Sequence, residues 1–124
     1  MKEVIAMNKA PFYKSLGYAW SGIWACIKKE RNMKIHLGMM IAVIICGLIF
    51  SLTYTEWIIC ILLFGIVMAL ELLNTAVEAV VDLVSPTYHP LAKLAKDTAA
   101  GAVLVAAIAA AIIGLMIFIP KLIF

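Results

Sequence analysis

Three polar side chains stand in an otherwise apolar stretch and have the types and spacing of a chemical site: Glu71, Asn74 and Glu78. With Asp82 they follow one another at steps of three, four and four residues, so an α-helix places all four on one face. Carboxylates suit general acid–base chemistry, and their oxygens are ligands that Mg²⁺ prefers. The spacing therefore predicts an acidic site on one helix.

Glu71 lies deep in the apolar stretch that begins at Trp57. At about 1.5 Å per residue it stands about 21 Å along the helix, inside a hydrocarbon core about 30 Å thick. Glu78 reaches the cytoplasmic interface one heptad later. An acid at this depth is costly and indicates function, and we favour that interpretation. The alternative is a pairing with Lys or Asn of a neighbouring helix that only holds subunits together.

Other polar groups are ambiguous when they are taken singly. Asn74 suits interhelical packing as well as it suits a site. Lys96 and Asp97 are most simply a solvated pair before a helix. His36 and His89 are most simply interfacial side chains.

Five of the seven acids gather at one end of the membrane: Glu30, Glu71, Glu78, Asp82 and Asp97. As a set, Glu30 and Glu78 suit a divalent cation with a phosphate, and Lys96 supplies positive charge for the phosphate oxygens. Glu71 is then placed to accept a proton from a lipid hydroxyl. The sequence contains neither G-x-x-x-x-G-K-[ST] nor G-x-G-x-x-G, so nothing local indicates a nucleotide.

The composition indicates lipid as the solvent of this chain. Of its 124 residues, 66% are hydrophobic and 14% are charged, and the mean hydropathy is +1.11. These values exclude a disordered chain, a disulfide scaffold and an ordinary water-soluble enzyme. The three cysteines are odd in number and lie in apolar context, so we expect inert packing thiols. We expect a single domain over residues 1–124, no secretory signal peptide and no nucleic-acid partner.

The hydropathy pattern predicts an all-α integral membrane protein with three transmembrane helices, at about 35–52, 57–83 and 98–119. The connection 51–56 makes the first two an antiparallel hairpin, and the third apolar run is stopped by Pro120. The second connection extends from Ser85 to Asp97 and contains two prolines. It also holds Lys93 and Lys96. Seven of the ten basic residues precede the first span, so the positive-inside rule predicts a cytoplasmic N-terminus and a cytoplasmic 85–97 connection. The seven are Lys2, Lys9, Lys14, Lys28, Lys29, Arg31 and Lys34.

An N-terminal amphipathic surface helix is predicted at about 12–30. Its apolar residues recur every three or four positions, with tryptophans suited to the headgroup level of the cytoplasmic leaflet. The alternative is a soluble helix that caps a partner. In the third span, Ala102, Ala106, Ala110 and Gly114 form a packing seam, within the protomer or between subunits.

The stretch Glu71-Leu-Leu-Asn-Thr-Ala-Val-Glu-Ala-Val-Val-Asp82 resembles the signature of the prokaryotic diacylglycerol kinase family, E-x-x-N-[ST]-A-x-E-x-x-V-D. Tyr88-His89 and Ala95-Lys-Asp97 follow at the right distance, and Gly17-Tyr-Ala-Trp20 and Glu30 match upstream. The resemblance covers essentially the whole chain. It implies a homotrimeric bacterial plasma-membrane kinase with three spans per subunit, a cytoplasmic surface helix and sites built between subunits.

The resemblance also implies roles for individual residues. Glu71 is the general base on the lipid hydroxyl, supported by Asn74, while Glu30 and Glu78 hold Mg²⁺ on the co-substrate ATP. Lys96 meets the phosphates. The implied nucleotide-lining residues are Tyr18, Thr87, Tyr88, His89 and Asp97, and the implied lipid-site residues are Trp20, Ala100 and Glu71.

Two subgroups of this family phosphorylate different lipids, diacylglycerol or undecaprenol. Glu30-Arg-Asn32 with Ile35-His36, and the run from His89 to Asp97, resemble the undecaprenol kinases of Gram-positive bacteria. Pro11, Ala19 and His36 replace an arginine, a serine and an acid of the diacylglycerol enzymes. Lys14 is a candidate substitute for that arginine. We therefore predict phosphorylation of undecaprenol, with diacylglycerol as the alternative.

Two hypotheses from other classes explain part of the pattern. A small oligomeric proton-coupled transporter would use Glu71 as its proton site, but it does not explain why the other acids and Lys96 crowd the cytosolic side. A non-catalytic assembly subunit, whose acids only satisfy one another between helices, predicts no Mg²⁺-dependent ATP binding.

Overall fold

The computed structural model describes residues 11–124, and this part of the chain is all-helical. The helices in chain order are α1 (Phe12–Lys29), α2 (Arg31–Ile49), α3 (Tyr54–Val84) and α4 (Pro90–Ile123). The last three are each long and apolar enough to cross a membrane. The predicted all-helical architecture, three apolar helices after an N-terminal helix, is confirmed. Lys2 and Lys9, which contribute to the orientation prediction, lie outside the described residues.

A single extended residue, Glu30, separates α1 from α2. Its φ and ψ are −96° and 121°, and it ends the first helix and begins the second. The Glu30 N–H donates to the carbonyl of Cys26 at 2.9 Å, while its own carbonyl accepts from the Lys34 N–H at 3.4 Å. The chain therefore changes direction at an acid that the sequence singles out as a metal ligand.

The α2–α3 connection is a tight turn. Ser51 adopts a positive φ of 54°, and Thr53 caps α3 because its hydroxyl oxygen accepts from the Glu56 N–H at 3.2 Å. This cap starts α3 at Tyr54, so the connection is shorter than the predicted 51–56. The Trp57 ring lies against Gly47 of α2, where an added Cβ would stand 2.6 Å from the ring. Glycine is therefore required for this close approach.

The connection between α3 and α4 was predicted over 85–97, and this is wrong at its second end. Helix α4 begins at Pro90, which leaves only residues 85–89 outside the helices. Proline is well suited to the first helical position, where no intrahelical N–H bond is lost. The His89 side chain caps the helix, since its Nδ1 accepts from the Leu91 N–H at 3.1 Å.

Helix α4 continues past Pro120 to Ile123, although the apolar run was predicted to stop at that proline. A proline removes one backbone hydrogen bond, and the last turn still closes because the Phe124 N–H donates to the Pro120 carbonyl at 2.9 Å. Lys121 lies 3.1 Å from Glu56, which joins the end of α4 to the start of α3. These two helices form the most extensive packing contact of the fold.

Few side chains of the described residues are buried, as expected for helices that face lipid. The buried apolar residues are Cys26, Met33, Leu52, Cys60, Val67 and Val103. Within residues 11–124 the buried polar residues are Glu71 and Asn74 alone. The interior of the bundle is therefore organised around the residues that the sequence marks as a site.

Candidate active site

Glu71 on α3 is almost fully buried, with 1% of its surface exposed. Neither oxygen of its carboxylate has a hydrogen-bond partner among the described residues. A buried polar atom without a partner is costly, so native proteins keep few of them, and they concentrate where a ligand or a reaction uses them. Both oxygens of Glu71 are therefore free to accept a proton.

Asn74 and Glu78 follow Glu71 along the same helix. The Asn74 side-chain amide donates to Oε1 of Glu78 at 3.4 Å, and its Oδ1 atom is buried without a partner in the described chain. One turn of helix separates the two residues, which is why their side chains meet. The structure thus brings the three central residues of the predicted site together on α3.

His36 approaches this group from α2, and sequence analysis missed the contact. Its Nε2 atom lies 3.8 Å from Oε2 of Glu71. The sequence indicates only an interfacial histidine, because the partner stands on another helix 35 positions further along the chain. The one signal in the sequence was that His36 stands where the diacylglycerol kinases carry an acid.

Glu30 and Glu78 are both close enough to Glu71 to interact with its carboxylate electrostatically. No three His, Cys, Asp or Glu side chains within residues 11–124 are grouped so as to hold a metal ion. Two carboxylates together with substrate phosphates are the usual ligand set of Mg²⁺. The donors therefore fit a metal that arrives with a nucleotide better than an ion held by the protein alone.

A chain of side-chain contacts fastens α1 to the site helix. The Thr75 hydroxyl donates to the backbone carbonyl of Glu71 at 3.1 Å, and its oxygen lies 3.2 Å from the Cys26 sulfur. Cys26, Cys46 and Cys60 are all free thiols. Cys26 is thus a packing thiol, as predicted, with a polar contact that the sequence does not reveal.

A polar cleft of about 360 Å³ opens where the end of α3 meets the start of α4. The structure gathers five predicted nucleotide-site residues around it: Thr87, Tyr88, His89, Lys96 and Asp97. Taken singly, Lys96 and Asp97 suggested a solvated pair before a helix, and the position before a helix is wrong. They lie inside α4, where Lys96 pairs with Asp82 at 2.5 Å and Asp97 pairs with Lys93 one turn earlier.

The remaining predicted residues lie on exposed surfaces of the protomer. Tyr18 is 42% exposed and Trp20 is 66% exposed on α1, and Ala100 is exposed on α4. No side-chain hydrogen bond or ion pair of the described chain connects them to the cleft or to Glu71.

Known proteins resemble the chain over most of its length. The family model described as prokaryotic diacylglycerol kinase matches residues 17–118. An undecaprenol kinase of Bacillus subtilis is 52% identical over 90% of both chains. A diacylglycerol kinase of Synechocystis is 48% identical over 87% of this chain and 62% of that protein. A diacylglycerol kinase of Escherichia coli is 38% identical over 80% of this chain and 81% of that protein.

Proposed function

The chain belongs to the prokaryotic diacylglycerol kinase family, as its signature predicted, and we propose that it transfers the γ-phosphoryl group of ATP to undecaprenol. The product is undecaprenyl phosphate, a carrier for envelope polymers. The choice of lipid is supported by the 52% identity to the undecaprenol kinase of Bacillus subtilis, against 38% to the diacylglycerol kinase of Escherichia coli. Family membership favours a kinase over the proton-coupled transporter and the assembly subunit.

The main support for the chemistry is the environment of Glu71. Its carboxylate is almost wholly buried, and neither oxygen has a hydrogen-bond partner among the described residues. Glu71 takes the proton of the lipid hydroxyl while that oxygen attacks the γ-phosphorus. The bond from the γ-phosphorus to the bridging oxygen breaks, and ADP leaves. Asn74 supports the base and, through its amide, holds Glu78.

Glu30 and Glu78 are the proposed ligands of Mg²⁺ on ATP. Bound there, the ion neutralises charge on the phosphates as the transfer proceeds. Glu30 is fixed at the break between α1 and α2, while Glu78 is held by Asn74, so two different elements supply the ligands. The electrostatic proximity of both acids to Glu71 supports a single site for metal and base.

The cleft between α3 and α4 is the proposed nucleotide site. Lys96 meets the phosphate oxygens, and Thr87, Tyr88, His89 and Asp97 line the nucleotide together with Tyr18 of α1. A phosphate that enters replaces the exposed Asp82 carboxylate as the partner of Lys96. This exchange is inexpensive because exposed ion pairs contribute about 0–1 kcal/mol.

The lipid is proposed to reach Glu71 from the membrane along α1 and α4, beside Trp20 and Ala100. Exposed apolar side chains on α1, among them Phe12, Leu16 and Trp24, support an amphipathic helix on the cytoplasmic surface. We further propose a cytoplasmic N-terminus and a homotrimer, in which a neighbouring subunit completes each site. The basic residues before α2 support the orientation.

The test is transfer of labelled γ-phosphate from Mg-ATP to undecaprenol and to diacylglycerol, side by side in mixed micelles, with an EDTA blank. Preferential labelling of undecaprenol is expected. Equal or greater labelling of diacylglycerol supports the second candidate, which the 48% identity to the Synechocystis diacylglycerol kinase favours. Labelling of neither lipid overturns the proposal.

A further inference from the structure

The carboxylate of Glu71 has an unusual electrostatic neighbourhood. Glu30, at the α1–α2 junction, and Glu78, on its own helix, both interact with it as like charges. His36 of α2 is the ionisable neighbour that can become a cation. Burial and two acids therefore oppose the charge of Glu71, and one protonated imidazole can offset them.

The distance between His36 and Glu71 suits this electrostatic role. At 3.8 Å, Nε2 and Oε2 are within ion-pair range but beyond a hydrogen bond, so the contact leaves the Glu71 oxygens available to a substrate. The imidazole is 20% exposed, whereas the carboxylate is 1% exposed. Charges this close interact strongly where water is largely excluded. The histidine is thus the more exposed partner of the buried acid.

We propose that His36 is the positioning residue of the base: when protonated, its imidazole keeps the Glu71 carboxylate charged and directed at the reacting hydroxyl. This inference rests on the proposed function, in which Glu71 takes the lipid proton. It deepens that function, because it explains how a buried acid stays competent as a base.

A purely packing role for His36 is the alternative, and two substitutions separate the two roles. His36→Gln keeps most of the volume without the charge, and His36→Ala opens a space that free imidazole can enter. Ile35→Ala is the matched control, because Ile35 precedes His36 on α2 and is 52% exposed. The full-length protein in micelles is used throughout.

The kinetic measurement separates kcat from KM. In both His36 variants we expect kcat for undecaprenol phosphorylation to fall about tenfold or more, the loss expected for a charged partner, with the KM for ATP unchanged. Added imidazole should restore part of the kcat of His36→Ala. Wild-type kcat in His36→Gln, or a loss that imidazole does not reverse, overturns the proposal.

Infrared spectroscopy tests the same inference without turnover. At neutral pH we expect a protonated-carboxyl stretch in His36→Ala and His36→Gln that is absent from the wild type. Its disappearance when Glu71→Gln is added assigns the band to Glu71. The same spectrum in wild type and variants overturns the proposal. Because this arm needs no substrate, it decides the role of His36 even if no lipid is labelled and the proposed function fails.

Discussion

The ammonium group of Lys96 on α4 lies 2.5 Å from Oδ1 of Asp82 on α3. Both residues line the polar cleft where the end of α3 meets the start of α4. Its side chains are 41% and 65% exposed, so the pair itself contributes about 0–1 kcal/mol to stability. Its consequence is positional, because it holds a lysine at the rim of the proposed nucleotide site.

Replacing Lys96 with methionine should therefore impair ATP use rather than folding. We expect the KM for ATP to rise about tenfold or more, since a charge-assisted hydrogen bond to phosphate is lost. The thermal midpoint should stay close to that of the wild type. Steady-state kinetics and thermal unfolding in detergent measure the two effects. Lys28→Met is the control, because Lys28 stacks on Trp24 of α1, away from the cleft. An unchanged KM in Lys96→Met contradicts the assignment.

Glu78→Gln should raise the Mg²⁺ concentration that gives half-maximal activity. The amide cannot supply the charge that a hard cation prefers, and we expect a shift of about tenfold or more. A titration of activity with Mg²⁺ at saturating ATP measures it. Glu56→Gln is the control, because Glu56 lies at the opposite end of α3 beside Lys121. The metal assignment fails if both variants titrate like the wild type.

Thr75→Val should loosen α1 from the site helix. The substitution removes the hydroxyl that contacts the Cys26 sulfur and the Glu71 backbone carbonyl. We therefore expect the free energy of unfolding to fall by about 1 kcal/mol. Thr75→Ser keeps the hydroxyl and should resemble the wild type. Thermal unfolding of both variants measures the difference. Equal midpoints for the two would show that the hydroxyl contributes nothing.

Gly47→Ala should destabilise the α2–α3 hairpin. A new Cβ stands 2.6 Å from the Trp57 ring, and overpacking of this kind costs about 1–3 kcal/mol. Gly38→Ala, in the same helix with no atom within 4 Å of its Cβ, should be neutral or stabilising by up to about 1 kcal/mol. Thermal midpoints of the pair measure the contrast, and an opposite order refutes the close contact.

Much of the fold follows from local pattern. Long uncharged runs fix three apolar helices, and the spacing of Glu71, Asn74 and Glu78 places them on one helix face, where Asn74 indeed contacts Glu78. Asp82 has the same angular position but pairs with α4, because it lies at the exposed end of its helix.

Contacts between helices could not be predicted from the sequence. The approach of His36 to Glu71 depends on how α2 packs against α3, which no local spacing encodes. The partners of Lys96 and Asp97 were missed because Pro90 was taken as a loop residue, whereas it begins α4. Proline at a first helical position has the same sequence signal as proline in a turn.

The most direct test of the account is phosphoryl transfer by Glu71→Gln. The amide keeps the shape of the side chain but cannot take the lipid proton. We predict that transfer to undecaprenol falls about 10²- to 10⁴-fold in Glu71→Gln, while Mg-ATP binding is retained. Leu73→Ala is the control, because Leu73 is exposed on the same helix. Transfer at the wild-type rate by Glu71→Gln would contradict the account.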